Sequence, residues 1–497
     1  MTEPNTFGRS RLRTELAFYF VAAILPMGVS VVGMAWALRL VPPAEFGVFN
    51  LVSATASIVA TGAFHWLCQW VLRYGAQFVA PETRGAYWNV LWRGAAVAVG
   101  LLAVAALVVL LFRPSLAATV GATLLLCGTL ATQSILVTVL QGTGRAQQYT
   151  MVLAVSTLLR WVCTIVLCYL WKGSASLWWT LMWGQFIGQM AATALALGAL
   201  RGRVSFRLFG PNQRPLELQA LSYGAPFLLW AVSMQLLNVG DRYIIAGFRN
   251  AHDVGVYSAV YNLANAAVMV LTNPVLLAFS PQIFSHAGAT AGGLDTNSEV
   301  RRLADKGLQF LLMLGIPLLS FSVLLRRELV TLVLGPNYSP AATVFPLVVS
   351  GILVWQVAQI YQKGFETAAR TRAIGTSILY AVAISLIMNL LLVPHWGITG
   401  AAVATIGAYV CYFVLVAVRV GSFGRPALQV RTGLSVLLAA GVSCTIFLLG
   451  SDWLRNYWLR LTWGGVCGAL YLGVLAIRCE PLLIAQVRRI QVALDLR

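Results

Sequence analysis

Residues 94–112 read GAAVAVGLLAVAALVVLLF and contain no charged or hydrogen-bonding side chain. A helix needs about 20 apolar residues to cross the hydrocarbon core of a bilayer. Lipid offers no partner to backbone N–H and C=O groups, so such a stretch must satisfy them internally, as a helix does. The period-two alternation of a membrane β-strand is absent. The stretch therefore predicts a transmembrane helix.

Thirteen similar apolar stretches occur along the chain, which is 59% hydrophobic and only 10% charged. The mean hydropathy is +0.80, far from the average of soluble proteins. We predict an all-α polytopic membrane protein with about 14 transmembrane helices. The most N-terminal stretch, which starts near Ala17, is too long, and too closely followed by the next, to be a cleaved signal peptide. The thirteen other spans are expected to start near Ala17, Phe46, Ala117, Met151, Trp178, Leu221, Val256, Gly307, Phe345, Ile374, Gly400, Leu434 and Leu461.

Basic residues fall mostly in alternate loops. With the N-terminus in the cytoplasm, the inner segments hold roughly three times as many Arg and Lys residues as the outer ones, the bias that sets membrane topology. Both termini are then cytoplasmic and the number of spans is even. Because this bias accounts for most of the net charge of +19, we predict attraction to anionic lipid rather than nucleic-acid binding.

The sequence motifs of common enzyme sites are absent. There is no Walker phosphate-binding sequence, no HExxH and no GxSxG, and no loop is long enough to form a soluble domain. The 8 cysteines include no CxxC pair, which argues against structural disulfides and metal sites. We therefore predict a protein that is not an enzyme and that uses neither a cofactor nor a metal.

Two five-residue motifs indicate an internal repeat. Residues 45–49 (EFGVF) open the second span, and residues 253–257 (DVGVY) open the eighth. The tetrapeptide AATV recurs with a similar offset. Two related halves are typical of transporters, and the substrate path then lies between them. We expect an N-terminal six-helix lobe, a cytoplasmic linker, a C-terminal six-helix lobe, and two additional helices with a basic cytoplasmic tail, at residues 1–200, 201–224, 225–420 and 421–497 respectively.

Two further loops are expected to be long. The inner segment 285–305 contains the sequence GATAGG and is predicted to be flexible. The outer segment 326–343 is predicted to be the longest outer loop, and its single acidic residue is Glu328.

Arg160 lies near the centre of the fifth span, roughly 15 Å from either end at 1.5 Å per residue. That depth is too great for the side chain to reach water easily, and charges within spans usually mark pathways. Arg160 therefore faces a cavity, pairs with a neighbouring helix, or lies less deep than the predicted boundaries of the span imply. A cationic cavity favours an anionic substrate, such as a phosphate or pyrophosphate group.

Asp241 and Arg242 are adjacent in the outer part of the seventh span. Neighbouring helical residues point about 100° apart, so we expect one to face the cavity and the other to extend outward. The alternative is an ion pair with a loop at the helix end. Asp241 is the candidate for a coupling-ion or proton site.

Other polar residues allow two interpretations each. Arg39 and Arg73 are either interfacial anchors or ligand contacts, and His65 is either a buried packing residue or a group that titrates near neutral pH. Pairs of amides one turn apart either line a polar cavity or join helices. These pairs are Gln185 with Gln189, Asn262 with Asn265, and Gln356 with Gln359.

Several motifs, in this order and spacing, resemble those of Wzx-type polysaccharide flippases, which belong to the multidrug/oligosaccharidyl-lipid/polysaccharide (MOP) exporter superfamily. The resemblance covers nearly the whole chain. The motifs are EFGVF at 45–49, Gln141 and Gly142 with Arg145, DRYII at 241–245, DVGVYS at 253–258 with Tyr261, and WGITGAA at 396–402.

The resemblance implies a function that periodicity alone does not. Such proteins have two six-helix lobes around a cationic cavity, with two further helices. They move polyprenyl-pyrophosphate-linked oligosaccharides from the cytoplasmic to the periplasmic leaflet of a bacterial inner membrane by ion-coupled alternating access. The implied partners are the lipid-linked oligosaccharide, membrane lipid, and candidate polymerase and chain-length regulator proteins. The candidate cavity residues are Arg160, Arg242, Arg39, Arg73, Gln185, Gln189, Asn262 and Gln356, and the candidate ion-coupling residues are Asp241 and His65.

Three other functions stay open from the sequence. A multidrug antiporter of the same superfamily would need acids lining the cavity. A membrane-embedded polymerase or glycosyltransferase would need a sizeable outer loop or an acidic catalytic pair, and the outer segment 326–343 offers only Glu328. A membrane scaffold without transport activity is the third.

Overall fold

The computed structural model describes residues 21, 25–172, 176–205, 213–289, 294–367, 371–420, 426, 430–451 and 456–475. The predicted start of the first span near Ala17 and the predicted basic tail after residue 475 lie outside the described residues. Regular structure in the described ranges is helical throughout.

Fourteen helices follow one another in the described part of the chain. They are α1 (Leu25–Leu40), α2 (Pro43–Tyr74), α3 (Arg84–Phe112), α4 (Ala117–Gly142), α5 (Ala146–Leu170), α6 (Trp178–Ala199), α7 (Arg214–Phe248), α8 (Ala251–Ala289), α9 (Leu294–Leu324), α10 (Arg326–Leu334), α11 (Val344–Thr367), α12 (Thr371–Arg419), α13 (Val430–Ser451) and α14 (Tyr457–Leu475). Short 3₁₀ turns occupy Gly75–Phe78, Pro114–Leu116 and Pro336–Ala341.

The described residues contain 11 helical segments that are long and apolar enough to cross a membrane. One of them, α12, contains two crossings because it folds back at Gly397. The apolar helix α1 is shorter, and the 22-residue α6 is about 33 Å long, close to the thickness of the hydrocarbon core. The predicted fold class is therefore confirmed.

Gly397 and Pro394 cause the fold-back in α12. Gly397 has φ 56° and ψ −134°, a left-handed conformation that glycine adopts without steric cost. Pro394 has no N–H for the helix ladder, and its carbonyl oxygen accepts a hydrogen bond of 3.1 Å from Arg249 Nη2. A Cβ on Gly400 would lie 2.5 Å from the Leu392 carbonyl oxygen, so the motif WGITGAA permits a tight turn between two helices.

Helices extend further into the predicted loops than hydropathy indicated. Helix α7 begins at Arg214, inside the predicted linker 201–224. Helices α8 and α9 cover most of the segment predicted to be flexible, and α10 with a 3₁₀ turn covers most of the predicted outer loop. Polar end turns remain helical after the apolar pattern stops, and hydropathy does not register them. Residues 206–212 of the predicted linker and residues 290–293 of the GATAGG sequence lie outside the described residues.

The first of two compact units comprises Met1–Ala259, Val333–Asn337 and Ala381–Ala401. Within it α2 packs against α4, α6 and α7, and α5 packs against α6. Small residues allow the α5–α6 approach, since a Cβ on Gly188 would lie 2.7 Å from Arg160 Cβ and one on Gly184 would lie 2.8 Å from the Arg160 carbonyl oxygen. Such stretches of small residues let backbones approach closely in membranes. Most of α3 is exposed.

The two copies of the repeated motif contact each other within this unit. A Cβ on Gly47 would lie 1.8 Å from the Ala251 carbonyl oxygen, and one on Gly255 would lie 1.7 Å from the Pro43 carbonyl oxygen. Each glycine therefore occupies the position where the first turn of the opposite helix passes. The element that the two motifs share, a glycine at the fifth residue of α2 and of α8, permits this crossing.

The second compact unit comprises Val260–Leu332, Tyr338–Tyr380 and Ala402–Arg497. Its core includes Phe279, Leu311 and Ile360 from α8, α9 and α11. The C-terminal helices α13 and α14 pack on α9 through Met313, whose backbone carbonyl accepts a hydrogen bond of 2.7 Å from Tyr471 Oη. The two appended helices are thus held by α9.

Candidate functional site

The DRYII segment of α7 joins α8 through two parallel hydrogen bonds. Asp241 Oδ2 accepts a bond of 2.5 Å from Tyr257 Oη, and Arg242 Nε donates one of 3.0 Å to Ser258 Oγ. Arg242 Nη1 also donates to the Asn238 carbonyl oxygen at 3.2 Å. Asp241, Arg242, Tyr257 and Ser258 are all buried.

The expectation that either Asp241 or Arg242 extends outward was wrong. Adjacent residues on α7 do point about 100° apart, but Tyr257 and Ser258 are also adjacent and diverge in the same way on α8. Each member of the first pair therefore meets one member of the second. Both charged side chains can be buried because α8 supplies a polar partner to each.

Asp241 Oδ1 is buried and has no hydrogen-bond partner within the described part of the chain. Burying a carboxylate oxygen without a partner is costly. A proton or a cation bound at Oδ1 would remove that cost, which is why the position suits an ion-coupling role. Asn389, which the sequence analysis missed, also buries a side-chain oxygen that has no partner.

Arg160 lies near the middle of α5 and is half-buried. Its guanidinium carbon lies 4.8 Å from the centroid of the Trp161 ring, a cation–π contact. No carboxylate pairs with it among the residues that the structure describes. Trp161 itself is buried and packs on α1, where a Cβ on Gly33 would lie 2.2 Å from Trp161 Cγ.

The local structure therefore positions Arg160 without neutralising it. The glycines of α6 hold its backbone, and Trp161 supports one face of the guanidinium. Because the guanidinium has five N–H donors in a planar fork, it suits a carboxylate or phosphate ligand. The alternative interpretation was an ion pair between Arg160 and a neighbouring helix. No such pair occurs among the described residues.

The amide candidates fall into two groups. Gln189 Oε1 accepts a hydrogen bond from Thr129 Oγ1 of α4, and Gln356 Nε2 donates to Thr272 Oγ1 of α8. These contacts favour the helix-joining interpretation for both. Gln185 is buried and Asn262 half-buried, and neither side chain forms a hydrogen bond with a described residue.

The remaining candidates lie nearer helix ends or on partly exposed surfaces. Arg39 is exposed at the end of α1 beside the Gly335 turn, and Arg73 is exposed in the last turn of α2. These positions favour the interfacial-anchor interpretation. His65 is half-buried rather than buried as predicted, and its Nε2 lies 3.0 Å from Gln69 Nε2 one turn away.

A polar ladder between α2 and α7 was not predicted. Thr55 Oγ1 lies 2.7 Å from Tyr243 Oη, and Gln235 Nε2 donates to Ser57 Oγ at 3.0 Å and to Thr61 Oγ1 at 3.2 Å. The bonds pair early residues of α2 with late residues of α7, as antiparallel helices require. Only the pairing of the two helices reveals the ladder, since neither sequence pattern is unusual alone.

Residues 37–343 match the family described as "Polysaccharide biosynthesis protein". The chain belongs to this family. The matched range includes all the candidate cavity and ion-coupling residues except Gln356, and it ends directly before α11. No curated protein matches the chain in sequence.

Solved structures of transporters share the fold of this polysaccharide biosynthesis protein. It is similar to the lipid II flippase MurJ in an inward closed conformation, with a TM-score of 0.73 and 11% identity over 95% of this chain and 99% of that one. It is also similar to an inward-facing multidrug resistance MATE family transporter of the MOP superfamily, with a TM-score of 0.59 and 14% identity over 81% of this chain and 98% of that one.

A Vibrio cholerae MATE transporter, VcmN, is similar with a TM-score of 0.52 and 15% identity over 83% of this chain and 95% of that one. At these identities the likeness concerns the fold alone. The predicted membership of a polysaccharide biosynthesis family is confirmed by the family match, and the predicted fold is confirmed by these structural likenesses.

Proposed function

We propose that this polysaccharide biosynthesis protein is a flippase for a polyprenyl-pyrophosphate-linked oligosaccharide. It moves the headgroup from the cytoplasmic to the periplasmic leaflet of a bacterial inner membrane by alternating access, with both termini in the cytoplasm. The observation that carries the proposal is Arg160, a cation near the middle of a span that has no acidic partner in the described structure.

The energetic argument starts from the cost of that arginine. An arginine at the centre of a membrane helix costs about 2.5–3.5 kcal/mol on insertion scales. The chain retains it beside Trp161, which supports the guanidinium face but leaves its N–H donors to other groups. A pyrophosphate would accept two parallel charge-assisted hydrogen bonds from this fork. We therefore assign Arg160 to the pyrophosphate.

The other candidates take secondary roles in this proposal. Gln185 and Asn262 have amide groups free of bonds to described residues, and these groups suit sugar hydroxyls. The hydrogen bonds of Gln189 and Gln356 favour a role in joining helices. The exposed positions of Arg39 and Arg73 favour a role as interfacial anchors. Arg242 would reach a substrate only by exchanging its bond to Ser258.

Asp241 is the proposed ion-coupling residue, with His65 as the second candidate. Its unpartnered Oδ1 accommodates a proton or a small cation without displacing the bond to Tyr257. Binding there changes the charge at the α7–α8 junction, which suits a step that links an ion gradient to the orientation of the helices.

The test uses the intact protein in liposomes. A fluorescent polyprenyl-pyrophosphate oligosaccharide is placed in both leaflets, and its accessibility to a membrane-impermeant quencher is followed under an imposed proton or sodium gradient. We expect faster leaflet exchange than in protein-free vesicles. Exchange at the protein-free rate under both gradients would overturn the proposal.

A cation-coupled multidrug antiporter is the second candidate, because the MATE transporters share the fold and Asp241 is a buried acid. It predicts export of cationic dyes from the same vesicles. A polymerase has less support, since Glu328 is buried and pairs with Arg460 at 2.8 Å. A polymerase and a chain-length regulator fit the proposed function as partner proteins rather than as activities of this chain.

A further inference from the structure

A groove runs along the exposed helix α3 within the first compact unit. It lies between α2, α3 and α7 and has a volume of about 500 Å³, within the range of ordinary ligand pockets. We call it the α3 groove. Its lining is mostly aliphatic and includes Ala63, Trp66, Val97, Leu101, Leu221 and Leu228.

The α3 groove has the length of one leaflet. Its lining extends along α3 from Val90 to Leu102 and along α7 from Glu217 to Leu228. At 1.5 Å per residue these distances are about 18 Å and about 17 Å. Half of the hydrocarbon core of a bilayer is about 15 Å, so the groove accommodates a chain that enters from one membrane surface and ends near the midplane.

The groove opens toward the bilayer rather than toward the packed interior. Val97 is 64% exposed and Leu101 is 68% exposed, and both lie in a span whose surface is almost entirely unburied. A hydrocarbon chain can therefore enter sideways from lipid. Water in such an apolar groove would find few hydrogen-bond partners.

One end of the groove is charged. Arg93 Nη1 lies 2.8 Å from Glu217 Oε1, and the two side chains are 36% and 33% exposed. The other N–H groups of Arg93 donate to no described residue. Trp66 lines this same end, and its indole N–H is satisfied by the Ala63 carbonyl oxygen at 2.9 Å.

Further arginines lie beyond this end of the groove, at the start of α3. Arg84 opens α3 and donates a hydrogen bond of 2.8 Å to the Gly202 carbonyl oxygen. That bond holds the turn carrying Arg201 and Arg203, both exposed, beside the start of α3. The described charges at this end are thus predominantly positive, which complements anionic lipid headgroups.

We propose that the α3 groove binds one acyl chain of an anionic phospholipid, with the headgroup phosphate at Arg93. The leaflet-length apolar lining takes the chain, the free N–H groups of Arg93 take the phosphate, and the further arginines select a negative headgroup. The site is separate from Arg160 and does not depend on the proposed transport function.

The probe is phosphatidylglycerol with brominated acyl chains, which quenches tryptophan fluorescence on contact. Purified full-length protein is titrated with brominated phosphatidylglycerol or brominated phosphatidylcholine. The contribution of Trp66 is the difference in tryptophan fluorescence between the unmodified protein and Trp66→Phe. We expect this contribution to be quenched at about fivefold lower phosphatidylglycerol than phosphatidylcholine, the preference that one arginine near a membrane surface supplies.

Three variants separate the chain from the headgroup contact. Ala225→Phe fills the α3 groove and should abolish Trp66 quenching by both lipids, whereas Ala105→Phe, on an exposed part of α3 outside the groove, should not. Arg93→Gln should remove the preference for phosphatidylglycerol. If Arg93→Gln folds poorly, the double variant Arg93→Glu with Glu217→Arg is used instead, because it keeps the ion pair. Its preference for phosphatidylglycerol over phosphatidylcholine should be smaller, because the cation has moved from α3 to α7.

Two results would overturn the proposal. One is equal quenching by the two lipids in the unmodified protein, which would mean a groove filled by bulk lipid without headgroup selection. The other is complete displacement of brominated phosphatidylglycerol by an equimolar amount of polyprenyl phosphate, which would make the occupant the isoprenoid chain of a transport substrate.

Discussion

Arg160 shows how packing can hold a charge in a membrane without a counter-charge. The glycines at 184 and 188 bring α6 against its backbone, and Trp161 stacks beneath its guanidinium. The rest of the guanidinium keeps its hydrogen-bonding capacity. In a structural ion pair that capacity would already be used.

Arg160→Gln should lower the rate of leaflet exchange by about 10- to 100-fold, the value of a charge-assisted bidentate contact of about 1.5–3 kcal/mol. The amount of folded protein in the membrane should stay near that of the unmodified chain, because no described ion pair is broken. Arg160→Lys should give an intermediate rate, since it keeps the charge but loses the fork. Exchange rates in liposomes and fluorescence-detected size exclusion measure the two quantities.

The matched control for Arg160 is Arg113→Gln, which removes an exposed arginine at the end of α3. It should change neither exchange nor folding. Parallel losses of exchange and of folded protein in Arg160→Gln would assign the residue to structure instead.

Asp241→Asn should abolish the response of exchange to an ion gradient while leaving exchange without a gradient within about threefold. The amide has the same shape and can still accept from Tyr257 Oη, but it cannot gain and lose a charge. Rates with and without an imposed proton or sodium gradient provide the measurement. Tyr257→Phe is the control, because it removes the hydrogen bond and keeps the carboxylate, and it should retain the gradient response. A full gradient response in Asp241→Asn would exclude this residue as the coupling site.

At the scale of helices, the repeated glycine motif has a physical role that its sequence did not reveal. Residues 45–49 and 253–257 were interpreted only as copies of one unit. In the structure Gly47 and Gly255 are the positions at which α2 and α8 approach each other, with no space for a Cβ on either. The same residue recurs because each helix presents the same surface to the other.

Gly47→Val should force the first turns of α2 and α8 apart, because its Cβ would overlap the Ala251 carbonyl oxygen. Overpacking of this kind costs about 1–3 kcal/mol. In a cysteine-free background, a cysteine at Asn50 should then react several-fold faster with a membrane-impermeant maleimide. Gly100→Val is the control, since a Cβ on Gly100 meets nothing within 4 Å. Unchanged labelling in Gly47→Val would show that this crossing does not limit access.

At the scale of the whole molecule, α13 and α14 belong to the second compact unit. They are attached mainly to α9 and α10. Arg460 Nη1 lies 2.8 Å from Glu328 Oε1, and Tyr457 Oη donates to the Glu328 carbonyl oxygen at 2.6 Å. Glu328 therefore has a structural partner on α14.

Glu328→Ala should lower the midpoint of thermal unfolding in detergent and loosen the attachment of α14. The loss should be about 1–3 kcal/mol, less than for a fully buried pair, because the Arg460 side chain is 37% exposed and screened by solvent. The double variant with Arg460→Ala should be less destabilised than the sum of the two single variants. Additive effects in that cycle would mean that the pair contributes nothing.

Hydropathy predicted most of the architecture because the bilayer imposes its thickness and its internal hydrogen bonding on each span separately. Each apolar stretch predicted one crossing, and the starts near Ala117 and Trp178 agree with α4 and α6 to the residue. Where the pattern stops being apolar, as at Arg214 and around residues 285–305, the same rule no longer reports helical structure, although α7, α8 and α9 extend into these segments.

The all-helical, membrane-spanning fold class and the family were determined by the sequence alone, since each depends on local composition or on motifs in order. The partners of the polar residues were decided only by the tertiary structure. Which hydroxyl faces Asp241, whether Arg160 meets a carboxylate, and whether Gln189 or Gln185 is bonded all depend on the rotation and contact of helices far apart in the chain. The apolar pattern of a membrane helix constrains that rotation weakly, because lipid and neighbouring helices are almost equally apolar.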